Sequence, residues 1–237
     1  MNYITLNGKR SLLIKGLLIS ELPPITKPMV RTRIEEIDGR DGDVVTKLGY
    51  AAYDKKMTIG LFGDFNIDDI IQYFDSEGTV IFSNEPDKLY RYKILEQIDF
   101  SRLLRFRTAT VVFHVQPFKV SAVDNVLTFD SLGAGDRSLN ITNNGNVISR
   151  PKITVYYATS SEVVSLSVHG VAFYLQADGT YLTLDGEAWN AYKDGVLANN
   201  KVNGRLNQLW LPIGRSQITW SEGKLSKIVI ENSSRWI

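Results

Sequence analysis

The side chains able to make or break bonds are few, and their spacing offers little for catalysis. The chain has no cysteine and two histidines, His114 and His169. Thiolate nucleophiles, disulfides and Cys-type zinc or iron–sulfur sites are therefore excluded. His114 alternates outward from Phe113 inside an apolar run, and His169 precedes Gly170 between two such runs. Strand and turn roles account for both. No Gly-x-Ser-x-Gly elbow offers a nucleophile. Asp178, Asp185 and Glu187 could supply the carboxylate pair of a glycoside hydrolase, yet Asp178-Gly179 and Asp185-Gly186 are already explained as turns. Gly133-Ala134-Gly135-Asp136 lacks the third glycine of a dinucleotide fingerprint, and no helix follows it. The residues assign no catalytic group, no metal ligand and no cofactor.

Two other groups of residues point to binding. Asp38-Gly39-Arg40-Asp41-Gly42-Asp43 begins with the acid spacing of a calcium loop, but Gly49 stands where the bidentate glutamate belongs. Two glycines among four charges read instead as an exposed loop or hairpin tip, a place where contacts are made. Trp189 and Trp210 have flat faces that could stack on sugar rings, which keeps a carbohydrate-binding module as the alternative function. Trp220 in an apparent strand, and Leu209 and Leu211 flanking Trp210, are patterns of ordinary packing.

The elements that must position these residues are mostly strands. With 237 residues, 43% hydrophobic and 22% charged, the composition is that of a folded chain of one or two domains. A net charge of +1 provides no footprint for sequence-specific nucleic-acid binding or for an anionic membrane surface. The apolar run Leu12–Ile19 is broken by Lys15 and Gly16 and falls far short of the roughly 20 residues of a membrane span. Asn2, Tyr3 and Thr5 do not form a basic leader region. A cytosolic protein, or one carried in a particle assembled in the cytosol, is expected.

Period-two patterns run through the first half: Lys55, Met57, Ile59 and Leu61; Tyr90, Tyr92, Ile94 and Ile98; then Leu103, Ala109, Val111, Phe113 and Val115, interrupted by Arg105 and Arg107. One helix is predicted over Ile67–Phe74. Asn66 would cap it, Ile67, Ile70, Ile71 and Phe74 would form its apolar face, and Gly78 would stop it. The second half predicts strands at 126–129, 152–157, 163–168, 171–175, 181–184, 217–221 and 225–230. Asn144-Gly145, Asp178-Gly179, Asp185-Gly186, Asp194-Gly195 and Asn203-Gly204 fall between or near them as turn signals. That pattern predicts an antiparallel β-sandwich. Low periodicity over 121–125 places a boundary near Asn125, giving domains 1–125 and 126–237.

Taken in order, these residues resemble the distal tail proteins of siphophages that infect Gram-positive bacteria. The N-terminal match runs from Ile25 to Pro117. Its markers are Pro28 opening a strand, Ile37-Asp38-Gly39-Arg40-Asp41-Gly42, Tyr53-Asp54-Lys55-Lys56, the helix at Ile67–Phe74, Gly78-Thr79-Val80 and Ser83-Asn84-Glu85-Pro86 with Tyr90. It closes with Val111-Val112-Phe113-His114-Val115-Gln116-Pro117-Phe118. A looser C-terminal match rests on Asn143-Asn144-Gly145-Asn146, Arg150-Pro151-Lys152-Ile153, Tyr181-Leu182-Thr183-Leu184-Asp185-Gly186 and Leu209-Trp210-Leu211-Pro212-Ile213-Gly214.

The resemblance implies a mainly β chain: an N-terminal β-sandwich-like domain with a short helix and a protruding hairpin, and a C-terminal galectin-like sandwich. It implies a non-enzymatic homohexameric ring at the distal end of a phage tail, with a lumen for DNA. The implied partners are the tail-tube ring, a tail-associated tip protein and, in relatives with insertions, a receptor-binding protein. The family's hairpin, or belt, reaches the neighbouring subunit. Its positions here run from Asp38 to Tyr50, with Asp38, Arg40, Asp41, Asp43, Lys47 and Tyr50 as candidate contacts. Galectins use a Trp-x-x-Glu-x-Arg segment, whereas Trp189 is followed by Asn190, Ala191, Tyr192 and Lys193.

Overall fold

The computed structural model describes every residue except 124, 125, 134, 159–162, 178, 222, 223, 232 and 233. The chain divides into two compact units, residues 1–122 with Ile237, and residues 123–236. Asn125, where the sequence places the boundary, lies outside the described residues.

The first unit contains β1 (Ile4–Leu6), β2 (Lys9–Arg10), β3 (Leu17–Glu21), β4 (Val30–Glu36), β5 (Asp43–Tyr50), β6 (Tyr53–Leu61), α1 (Ile67–Tyr73), β7 (Glu77–Phe82), β8 (Lys88–Lys93), α2 (Phe100–Phe106), β9 (Thr108–Val115) and β10 (Lys119–Ser121). An antiparallel sheet runs in the order β2-β1-β7-β8-β9-β6-β3, with β10 also paired to β8. Alternation explains its core. Met57, Ile59 and Leu61 of β6 and Val111, Phe113 and Val115 of β9 all point inward and are buried. Phe113 meets Tyr92 and Phe82 edge-on at ring separations of 5.1 and 5.7 Å, and Phe82 meets Tyr90 at 5.5 Å. These edge-to-face contacts each add about 1 kcal/mol beyond area burial.

Both helices depart in part from the sequence reading. In α1 the Asn66 side chain caps the start by accepting from the Asp68 N–H at 3.0 Å. However, its buried residues are Ile70 and Tyr73, while Ile71 is exposed. A helix of two turns presents a narrow stripe, and Ile71 falls outside it. Gly78 lies inside β7 rather than ending the helix; a Cβ there would fall 1.9 Å from Asn7 Oδ1. The segment from Leu103 to Arg107 is not strand. Asp99 accepts from the Arg102 N–H at 2.8 Å and opens α2, which ends at Arg107 in the left-handed conformation. The apparent alternation there was produced by a single buried side chain, Leu103, on one face of a helical turn.

The second unit contains β11 (Val126–Phe129), β12 (Ser138–Asn143), β13 (Lys152–Tyr157), β14 (Val163–Val168), β15 (Val171–Gln176), β16 (Tyr181–Asp185), β17 (Asn190–Lys193), β18 (Val196–Leu197), β19 (Val202–Asn203), β20 (Gly214–Trp220) and β21 (Leu225–Glu231). Two antiparallel sheets, β11-β21-β13-β16-β17-β18 and β12-β20-β14-β15-β19, share one core. Ile153, Val155, Leu184 and Ile228 come from the first sheet, and Ile141, Leu166, Phe173 and Ile218 from the second. This is a β-sandwich.

Buried tyrosines make the first unit sensitive to alkali. Burial raises Tyr53 and Tyr92 from 10.0 to about 12, and it raises Tyr73 and Tyr90 as well. A phenol whose pKa is raised by folding contributes stability that is whole below pH 10 and lost as pH rises through its folded value. Lys55 acts oppositely: its pKa is lowered from 10.5 to about 8, so its burial cost is relieved between those values. Alkaline titration should therefore show sheet structure lost together with a late wave of tyrosinate absorbance, between pH 10 and 12. Complete tyrosine ionisation near pH 10, with the sheet signal intact, would contradict this burial.

Candidate functional site

Strands β4 and β5 form a sheet of their own, apart from the rest of the first unit. They pair from Val30 opposite Tyr50 to Glu36 opposite Asp43, with one register shift between Arg31 and Thr32. At about 3.3 Å per residue, this arm extends about 23 Å. Arg40 N–H donates to the Ile37 carbonyl at 3.1 Å across the tip. Gly39 and Gly42, at φ +80° and +78°, adopt the left-handed conformation that the turn requires.

Paired residues on antiparallel strands point to the same side. One face carries Val30, Thr32, Ile34 and Glu36 with Tyr50, Lys47, Val45 and Asp43; the other carries Arg31, Arg33 and Glu35 with Gly49, Thr46 and Val44. Ile34 and Val45 lie directly opposite one another and remain 59% and 60% exposed. Leu48 and Ile37 are exposed as well. On the second face Arg33 Nε and Glu35 Oε1 pair at 2.6 Å.

The six contact residues expected from the sequence separate into two groups. Asp38, Arg40 and Asp41 stand exposed at the tip, and Asp43 opens β5 beside them. Lys47 and Tyr50 are engaged at the base: Lys47 Nζ donates to Tyr50 Oη at 3.1 Å and lies 4.4 Å from its ring centre. Tyr50 also packs edge-on against Phe118 at 5.6 Å, fixing the arm to the body of its unit. The sequence marks a strand opening at Pro28 but does not place it, as β4, in the arm, and it does not single out the apolar pair Ile34–Val45. Alternation of Ile34 with charged neighbours was the available signal.

His114, His169, Asp185 and Glu187 have structural partners. His114 Nδ1 pairs with Asp54 Oδ1 at 2.8 Å between adjacent β6 and β9 positions. His169 turns β14 into β15 at φ +48° and faces the Trp210 ring at 5.2 Å. Asp185 Oδ1 accepts from the N–H groups of Glu187 and Ala188, both at 2.9 Å, and Glu187 faces Arg235 at 3.5 Å. Asp178 and Ala134 lie outside the described residues. Trp189 is 56% exposed at φ +57°, with the Arg150 guanidinium 5.7 Å from its ring centre. Trp210, between fully buried Leu209 and Leu211, is half-buried. Trp189 and Trp210 thus have separate partners, Arg150 and His169.

No protein-family model and no curated protein sequence matches the chain. Solved structures do. The Dit protein of phage SPP1, described as a paradigm of the hub adsorption apparatus in phages infecting Gram-positive bacteria, superposes with a TM-score of 0.66 at 15% identity. That match covers 100% of both chains. A chain of the activated phage p2 baseplate with Sr superposes at 0.57 and 9% identity, over 98% of this chain and 97% of that one. In the corresponding baseplate with Ca the values are 0.55 and 9%, over 100% and 98%. The chain has the fold of these phage hub and baseplate components.

An exposed tip at the end of a narrow ribbon is the favoured site for proteolytic nicking. Brief trypsin treatment of the free protein should cut first after Arg40, leaving both units intact by mass spectrometry. First cleavage elsewhere would contradict the arm's exposure.

Proposed function

We propose that the protein is a structural hub of a phage tail tip, in which copies of the chain close into a homohexameric ring and the arm of each reaches its neighbour. The observation that carries this reading is the arm itself. A two-stranded hairpin is marginal alone, and this one leaves Ile34, Val45, Leu48 and Ile37 outside any core. Covering each would contribute on the order of 1 kcal/mol. A head-to-tail contact that closes by rotation repeats that gain at every interface. Asp38, Arg40, Asp41 and Asp43 at the tip then set register and partner choice through paired charges. A net charge of +1 per chain keeps the assembly free of large self-repulsion.

The fold match over the whole chain supports this reading. The first unit is the ring-forming part, and the second is a galectin-like sandwich carried outside it. The ring would join the tail tube on one side and a tail-associated tip protein on the other, with a lumen for DNA. Its place is the distal end of the virion tail, after assembly in the host cytoplasm, and its role is geometric rather than enzymatic. A receptor-binding protein is a further partner at the periphery. Carbohydrate binding by the second unit is the other reading, favoured by exposed Trp189 alone. It predicts glycan-dependent quenching of tryptophan fluorescence that Trp189→Ala abolishes.

Light scattering behind size exclusion, with negative-stain images of the same peak, tests the hub. The full-length protein, alone or mixed with its tube and tip proteins, should give six-fold rings. Arg40→Ala with Asp41→Ala should weaken assembly at least about tenfold, the scale of a desolvated charge pair, without changing the far-UV spectrum. Ile34→Asp should do the same. Rings that form equally well from both variants would remove the arm from the interface.

A further inference from the structure

Lys55 interrupts the apolar row of β6. It occupies the same inward face as Met57, Ile59 and Leu61 and is only 3% exposed. A methionine there would continue the row and fill a similar volume with no charge to desolvate. The ammonium must therefore serve a contact that an apolar side chain cannot make. Its Nζ donates to the Pro24 carbonyl at 2.8 Å. Around it lie the ring faces of Tyr90, Tyr53 and Phe82, at 5.0, 5.7 and 5.7 Å.

The carbonyl it holds belongs to the chain entering the arm. Residues 22–29 lead from β3 to β4, and within them Pro23 and Pro28 are buried. Asn84 Nδ2 donates to the preceding carbonyl, that of Pro23, at 2.9 Å. Two consecutive carbonyls at the root of the arm are thus gripped from the body of the unit, one by β6 and one by the turn between β7 and β8. The prolines restrict φ along the same stretch. On the other side of the arm, Tyr50 is fixed against Phe118.

The same turn supplies the counter-charge. Glu85 Oε1 pairs with Lys119 Nζ at 2.7 Å, both nearly buried, and the Tyr90 hydroxyl donates to Glu85 Oε2. Lys55 thus sits in a cluster with one carboxylate and a second cation. Burial, more than Glu85 can offset, brings its pKa down to about 8, with Lys119 pushing the same way. The Ser83-Asn84-Glu85-Pro86 turn with Tyr90, which the sequence marks without assigning a task, becomes one side of a clasp.

We propose that Lys55 and Asn84 clasp the root of the arm through the Pro24 and Pro23 carbonyls, and so fix its direction before any partner binds. Lys55 is a positioning residue. It touches no partner and acts through the backbone it holds. This rests on the arm being the assembling element, but the clasp can be measured without assembly.

Hydrogen exchange followed by mass spectrometry on the full-length protein tests it. In Lys55→Met, exchange over residues 25–50 should rise about tenfold, the scale of a hydrogen bond from a charged donor. Exchange in β6 and β9 should stay unchanged or slow, because a buried charge has been removed. That opposition separates positioning from a general packing defect, which would speed both. Asn84→Ala, at an exposed site that leaves the core intact, should give about a threefold rise confined to the same residues. Unchanged exchange of residues 25–50 in either folded variant would overturn the clasp, as would equal acceleration of arm and core. A loosened arm whose rings still form normally would keep the clasp and overturn the hub reading of the arm.

Discussion

A ribbon of two strands has no interior, and much of the first unit can be understood from that constraint. The β4–β5 arm makes its own backbone hydrogen bonds but gives Ile34 and Val45 nothing to pack against. Its direction must come from its root, where Pro23, Pro28, the Lys55 ammonium, the Asn84 amide and the Tyr50–Phe118 contact converge. A free hairpin would lose a large conformational entropy on docking. One fixed at its base has already lost part of it, so more of the contact energy remains for association.

The core of that unit is built to bear this load. Phe113, Phe82, Tyr90 and Tyr92 form a continuous edge-to-face chain on the inner side of β7, β8 and β9. Tyr90 belongs to that chain and also reaches Glu85, so the aromatic core and the charged cluster are one structure. Accepting a desolvated lysine beside such a core costs stability. The cost is local, and what it secures is the orientation of a surface element.

The second unit shows how far dipeptide signals carry. Asp194 and Gly195, at φ +51° and +76°, make the tight turn between β17 and β18 that an Asp-Gly pair predicts. Asn144-Gly145 and Asp185-Gly186 do not work that way. A Cβ on Gly145 would lie 1.7 Å from the Arg235 carbonyl oxygen, and one on Gly186 would lie 2.4 Å from that of Leu209. Those glycines are required by chains remote in sequence, which no local pattern encodes. In the turn after β16 the left-handed residue is Trp189, a residue type that a turn signal does not pick out.

Alternation and turn chemistry are local properties, so the sequence by itself determined that the chain is mostly strand. It located β6, the end of β9 and most sandwich strands within a residue or two, and it marked 38–43 as an exposed charged tip. Some elements escaped it: α2 depends on one cap and one buried leucine, and β17, β18 and β19 are too short to show a period, whereas β12 does alternate, with Leu139 and Ile141 between polar residues. Only the tertiary structure decided that β4 belongs to the arm, that Lys47 and Tyr50 are engaged at its base, and that Ile34 and Val45 are left uncovered. Burial is a property of the assembled chain, and the apolar residues of a core strand and of a lone ribbon look alike until neighbours are in place. The same reason hid Lys55, an apparently ordinary charge in a period-two run whose meaning lies in a carbonyl on a segment 31 residues away.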